Sequence, residues 1–273
     1  MSKGKDTIFD TSTSRAMIVK GRRAKWWERK GGKSSGFRYV DNKGKQITEE
    51  ASIDRIKSLV IPPAWKYVRI CPSPNGRLQV VGMDARGRIQ YRYNPAYTKK
   101  QDRKKFAKVE KFGESLPGLR KATSDDLSVE GLPKEKVLAA MLRLINSLYF
   151  RVGTDLSEKH YRTYGITTLK KNHLTLKPKG KLIFDFVGKS HVQHRKVLVD
   201  EALASVVREI AALPGGRRLF RFIDADGNKR SIKPADVNAY LKVITGPQFS
   251  SKDLRTWGGT LLAASALAEI GKG

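Results

Sequence analysis

The stretch that decides the fold is residues 173–198, HLTLKPKGKLIFDFVGKSHVQHRKVL. Apolar and polar residues alternate through it, with breaks at Pro178–Gly180 and Gly188–Ser190. Both breaks are turn chemistry, so His173 to Lys177, Lys181 to Val187 and His191 to Leu198 read as a three-strand antiparallel meander. Helical patterns flank it. Pro133 opens a helix running to about Phe150, with Val137, Leu138, Met141, Leu144, Ile145 and Leu148 as its apolar stripe. Further helices are expected at about Asp200 to Leu213, Pro234 to Ile244 and Ser251 to Ile270. Residues 116–273 therefore read as a mainly helical domain with one inserted sheet.

Residues 36–115 have a different texture. Phe37 to Val40, Val68 to Cys71, Leu78 to Met83 and Arg88 to Tyr93 read as strands, separated by turns at Asp41–Gly44, Pro72–Gly76 and Asp84–Gly87. A helix is expected at Glu49 to Leu59, capped by Thr48, and a basic helix at Thr98 to Phe112. This is a small antiparallel β domain. Residues 1–35 are polar and basic without a sustained period, and read as a flexible arm. Trp26 and Trp27 within it could equally stack on bases or pack on the domain. The expected class is α+β: a small N-terminal β domain followed by a helical domain carrying the meander.

Charge narrows the function. Among 273 residues there are 55 Lys plus Arg against 26 Asp plus Glu, a formal net charge of +29. Such an excess points to a polyanionic partner. No apolar run reaches the roughly 20 residues of a membrane span, residues 1–10 lack the apolar core of a secretory signal, and Cys71 stands alone. A cytoplasmic protein whose partner is nucleic acid is expected, with no membrane span and no thiolate metal site. Charge by itself leaves open a basic binder with no chemistry.

Breaking and rejoining a DNA strand without metal or ATP makes specific demands. Arginines suit the phosphate, whose transition state gathers charge on its non-bridging oxygens. A lysine can protonate the leaving oxygen, and a tyrosine can hold the strand covalently. Three positions match in order. Arg151 follows the apolar helix, beside Gly153. Lys189 lies at a hairpin tip. Arg255 lies near the start of the last helix, whose N-terminal amides favour an anion.

The segments 61–65 (IPPAW), 71–76 (CPSPNG), 84–88 (DARGR), 90–93 (QYRY) and 131–140 (GLPKEKVLAA) resemble bacterial type IB topoisomerases of the poxvirus type. So do 151–153 (RVG), 165–169 (GITTL), 188–190 (GKS), 235–241 (ADVNAYL) and 252–257 (KDLRTW), and the similarity extends from about Phe37 to the C-terminus. The resemblance implies an ATP- and metal-independent enzyme that relaxes supercoils through a 3′-phosphotyrosyl intermediate. Arg151 and Arg255 would bind the scissile phosphate, and Lys189 would be the general acid. Arg88, Gln90, Tyr91 and Tyr93 at the last strand of the small domain, with Lys252 near the cut, would contact DNA. A monomer would clamp the duplex between its domains.

Two departures stand out. Many family members carry a tyrosine six residues after the first catalytic arginine, where this chain has Ser157. The family's active-site histidine and nucleophilic tyrosine follow the second arginine, yet no His follows His194 and no Tyr follows Tyr240. The catalytic domain is thus expected to be C-terminally incomplete and the 273-residue chain alone inactive in cleavage. His160, His173, His191 and His194 read as surface or strand positions, and Tyr240 as structural. A truncated relative that only binds duplex DNA, or a tyrosine recombinase-like protein, are the alternatives.

Overall fold

In the computed structural model, which describes residues 11–271, the basic N-terminal stretch is not simply an arm. Thr11–Val19 forms helix α1 and Trp27–Gly32 forms strand β1; the expectation for residues 1–10 lies outside the described residues. Strand β1 pairs antiparallel with β2 (Gly36–Val40) and with β3 (Lys66–Ile70), after helix α2 (Glu50–Ser58). Strands β4 (Leu78–Met83) and β5 (Ile89–Tyr93) complete a sheet of order β2-β1-β3-β4-β5. The missed strand, WERKGG, shows no apolar alternation because one of its inward residues is Arg29. Its guanidinium is buried and donates to the carbonyls of Pro62, Pro63 and Trp65, the last at 2.6 Å, while lying over the Phe37 ring. Satisfied in this way, a charged residue can occupy a core position.

Both faces of this sheet are covered. Ile56 of α2 packs with Val68, Ile70, Val80 and Trp27; Ile18 of α1 packs with Val81, Met83, Trp26 and Ile89. Trp26 and Trp27 thus serve packing. Double coverage explains why β4 is buried at five successive positions instead of alternating. Gln79 donates to the carbonyls of Ser73, Pro74 and Gly76, which fixes the 71–76 loop. Thr48 does not cap α2; Glu49 takes the N-cap position, and its carboxylate accepts from Ser52.

The chain divides into two compact units at Lys105/Phe106, within helix α3 (Pro95–Leu127). The second unit is organised by α4 (Lys134–Leu148), in which every residue from Lys136 to Leu142 is buried. Even Lys136 is only 7% exposed, and its ammonium lies 2.9 Å from the Glu209 carboxylate. A short helix, α5 (Asp155–Tyr161), was not legible in the sequence. The meander forms as expected, from β6 (Leu174–Lys177), β7 (Lys181–Val187) and β8 (Gln193–Val199). Helix α6 (Glu201–Ala212) follows, then a small hairpin, β9 (Arg221–Ile223) and β10 (Lys229–Ser231), also missed. Helices α7 (Pro234–Thr245) and α8 (Ser251–Ile270) end the described chain. The α+β expectation holds. Among the described residues no helix is long and apolar enough to cross a membrane.

Candidate active site

Three local structures in the second unit each deliver one cation. The first is the end of α4. Its C-cap, Tyr149, takes a left-handed conformation (φ 56°, ψ 39°) that stops the helix. Phe150 is then buried edge-on against Phe184, ring centroids 5.1 Å apart. Arg151 emerges next, exposed. Its backbone is pinned from the side: Ile166 N–H donates to the Arg151 carbonyl at 2.7 Å, and Thr167 N–H to Val152 at 2.9 Å. This contact needs glycines. A Cβ on Gly165 would lie 2.5 Å from the Arg151 oxygen, and Gly153 sits at φ 86° against Gly165. The GITT turn therefore acts as a clip that holds Arg151 in place.

The second is the β7–β8 hairpin. Gly188 N–H donates to the Val192 carbonyl at 2.8 Å, and Ser190 and His191 adopt positive φ values of 66° and 58°. Lys189 projects, exposed, from this tight tip. The His194 ring lies flush on Gly188, where a Cβ would fall 2.5 Å from Nε2. The third is the start of α8. Asp253 closes its first turn, Oδ2 accepting from both the backbone N–H and the Oγ of the N-cap Ser250 at 2.8 Å each. Asp253 also pairs with Lys108 at 2.8 Å. Leu254 is fully buried, which turns Arg255 to a half-exposed position. One turn later the Tyr149 ring packs on Gly258, joining the end of α4 to α8 and bringing the two arginines together.

The result is one pocket of about 390 Å³ lined by Arg151, Lys189 and Arg255. Lys196 and His194 line it too, with Tyr149, Phe150, Tyr164 and Phe186 as its aromatic wall. No carboxylate lines it, and among the described residues none of its four cations has a salt bridge. Burial and the neighbouring Arg151 hold the Arg255 pKa below the usual arginine value. Burial, then Lys196, Arg151 and Arg255, push His194 below the ordinary histidine value, favouring the neutral imidazole. Uncompensated positive charge facing a half-open cavity is an anion trap.

In the first unit, β5 is an edge strand. Tyr91 and Tyr93 are each 45% exposed and stack with centroids 6.3 Å apart. Tyr97 extends the row, 5.7 Å from Tyr93. Asp84 accepts from Arg88 Nε at 2.8 Å and from Gln90 Nε2 at 2.9 Å. Burial alone would raise the Asp84 pKa, but these bonds and backbone amides hold it below the usual carboxylate range. Successive strand residues face opposite sides, so Gln90 and Tyr91 do not share a face.

Comparison with known proteins identifies the family. Residues 94–273 match the family described as eukaryotic DNA topoisomerase I, catalytic core, and residues 36–84 match the bacterial DNA topoisomerase IB N-terminal domain. DNA topoisomerase 1B of Acanthamoeba polyphaga mimivirus is 32% identical over 245 residues, covering 88% of this chain and 72% of that protein. The chain belongs to the type IB DNA topoisomerase family. Coverage of other relatives is smaller: DNA topoisomerase 1 of Candida albicans is 27% identical over 59% of this chain and 20% of its own length. For DNA topoisomerase 1B of Vaccinia virus the values are 25%, 45% and 38%.

The topoisomerase motifs thus converge in space at Arg151, Lys189 and Arg255. Lys252, exposed in the first turn of α8, does not line the pocket. Ser157 bonds Thr154 through its hydroxyl at 2.9 Å, at the start of α5. Tyr240 donates its hydroxyl to the Asp126 carboxylate. Burial and that carboxylate push its pKa far up, consistent with a structural tyrosine. His194 and Lys196 are the residues that reading the sequence missed. A signal existed: they have the inward parity of β8, directly opposite Phe186 and Phe184.

Proposed function

We propose that this chain supplies the duplex-binding and phosphate-binding machinery of a type IB topoisomerase, an enzyme that cuts and rejoins one strand to relax supercoils. In this reading the non-bridging oxygens of the scissile phosphate lie between Arg151 and Arg255, whose fixed guanidinium charges oppose the charge that builds up as phosphorus is attacked. Attack by a tyrosine oxygen forms the phosphorus–oxygen bond of a 3′-phosphotyrosyl link. The phosphorus–oxygen bond to the 5′-oxygen breaks, and that oxygen takes a proton from Lys189. Tyr91, Tyr93, Gln90 and Arg88 contact the duplex away from the cut, and Lys252 contacts it near the cut. The observation that carries this reading is the pocket of four cations without a carboxylate, in a chain of this family.

No tyrosine among residues 1–273 is assigned the attacking role. The test is a denaturing gel of labelled duplex. The 273-residue polypeptide is expected to bind duplex and form no covalent adduct. Fused to the His- and Tyr-bearing C-terminal segment of a relative, it is expected to form the adduct and relax plasmid. In that fusion Lys189→Ala should cleave slowly, with recovery when the 5′-oxygen is replaced by sulfur, a leaving group that hardly needs the proton. A fusion that binds duplex yet never cleaves would leave only a DNA-binding role.

A further inference from the structure

We propose that Lys196 is a fourth phosphate-binding cation of the pocket, reaching it from the core-facing side of β8. The proposal rests on the reading of that pocket as the seat of a DNA phosphate. The register fixes the direction: Lys196 is paired with Phe184, His194 with Phe186 and Leu198 with Leu182, and directly paired residues share a face. Phe184, Phe186 and Leu182 are buried, while Gln193, Arg195 and Val197 on the opposite face of β8 are exposed. An ammonium on the core side of a sheet is unfavourable unless something compensates it.

Lys136 shows how this fold compensates a structural ammonium: Glu209 sits 2.9 Å away. Lys196 has no carboxylate and no hydrogen-bond acceptor among the described residues. Its Nζ is 6.0 Å from the Phe150 centroid, the outer limit of a cation–π contact. Burial, then the charge of Arg255, lower its proton affinity. Both costs are relieved if a phosphate oxygen enters the pocket that Lys196 lines. A purely structural lysine, held for its aliphatic stem, would make no use of the charge.

The two roles separate in Lys196→Met, which keeps the stem and removes the charge. Affinity of the 273-residue chain for a duplex oligonucleotide is measured against salt for wild type, Lys196→Met, Lys196→Arg and Arg195→Met. Loss of one phosphate contact lowers the slope of log affinity against log salt by about 0.9, which makes binding about fivefold weaker at 0.15 M salt than at wild-type strength, with convergence near 1 M. Lys196→Arg should keep the wild-type slope. Arg195→Met, one residue away on the opposite face, should keep it too. Lys196→Met should also be no less stable to urea than wild type, since an unpaired, half-buried charge is gone. An unchanged slope in Lys196→Met, or an equal fall in Arg195→Met, overturns the proposal. Wild type that binds duplex without salt dependence instead overturns the reading on which it rests.

Discussion

Gly258 and Gly259 are neighbours on α8 in opposite surroundings, and replacing each with alanine should separate the two variants in stability. A Cβ on Gly258 would lie 2.5 Å from Cδ1 and 2.8 Å from Cζ of Tyr149, and closer still to Cε1, whereas a Cβ on Gly259 would meet nothing within 4 Å. Both substitutions gain the same helix propensity, about 1 kcal/mol. Gly258→Ala must also displace the ring, and overpacking of this kind costs about 1–3 kcal/mol. Because propensity cancels between the two variants, their difference isolates the steric cost: Gly258→Ala should be about 1–3 kcal/mol less stable than Gly259→Ala. Urea unfolding followed by far-ultraviolet circular dichroism measures this, with unchanged slopes as the check that the unfolding reaction is the same. Tyr149 caps α4 two residues before Arg151, so Gly258→Ala should also weaken duplex binding, and Gly259→Ala should not. Equal stability of the two variants would refute the view that this ring contact joins the end of α4, just before Arg151, to the helix that bears Arg255.

Other outcomes follow from the same geometry. Gly188→Ala keeps an accessible backbone (φ −96°) but pushes a methyl into the His194 ring. It should cost about 1–3 kcal/mol in urea unfolding and lower duplex affinity. Arg255→Ala removes a pocket cation and should reduce the salt slope of duplex binding by about 0.9; an unchanged slope would take Arg255 off the phosphate. His173 is held below the ordinary histidine value by burial, then by Lys170, and its Nδ1 accepts from Lys170 N–H at 3.2 Å. The unfolded chain therefore takes up this proton first, so stability rises with pH between the depressed native value and about 6.5, and is lost as pH falls through that window. His194 acts in the same direction. His173→Asn, which keeps an acceptor, should flatten the dependence measured by urea unfolding from pH 7 to about 5; an unaltered profile would assign it elsewhere.

What the sequence revealed and hid follows from how each element meets its chemical needs. The meander and α4 were legible because their large apolar residues follow the period of the element: Leu182, Phe184 and Phe186 at spacing two, and Val137, Leu138, Met141, Leu144, Ile145 and Leu148 at helical spacing. Strand β1 was hidden because Arg29 is satisfied by backbone carbonyls from residues 62–65, which no local pattern announces. The hairpin β9–β10 was hidden by its three-residue strands, although its turn carries a clear signal: Asp224 accepts from the backbone of Asn228 at 2.8 Å. Thr48 looked like a cap by residue type, but the helix starts one residue later than the cap would require.

The site divides along a similar line. Arg151, Lys189 and Arg255 sit at ends and tips, where an element stops and a side chain is released, and such places carry punctuation that a sequence displays: a glycine, a turn, an N-cap. Lys196 sits in mid-strand and carries no punctuation. Its only mark is parity, and parity becomes meaningful only once the register with Phe184 is fixed. A one-residue slip would exchange it with Arg195 and send the charge to solvent. The five residues from Gly188 to Val192 set that register, through the Gly188–Val192 hydrogen bond and the positive φ of Ser190 and His191. The same turn that presents Lys189 therefore also decides that Lys196 and His194 face the pocket. In the Arg195→Met variant, where a slip brings no cation inward, lengthening the tip by one residue should disturb two cations at once, lowering the salt slope of duplex binding by about twice the 0.9 of a single phosphate contact. A loss no larger than that of Lys189→Ala would mean that β8 holds its register without the turn.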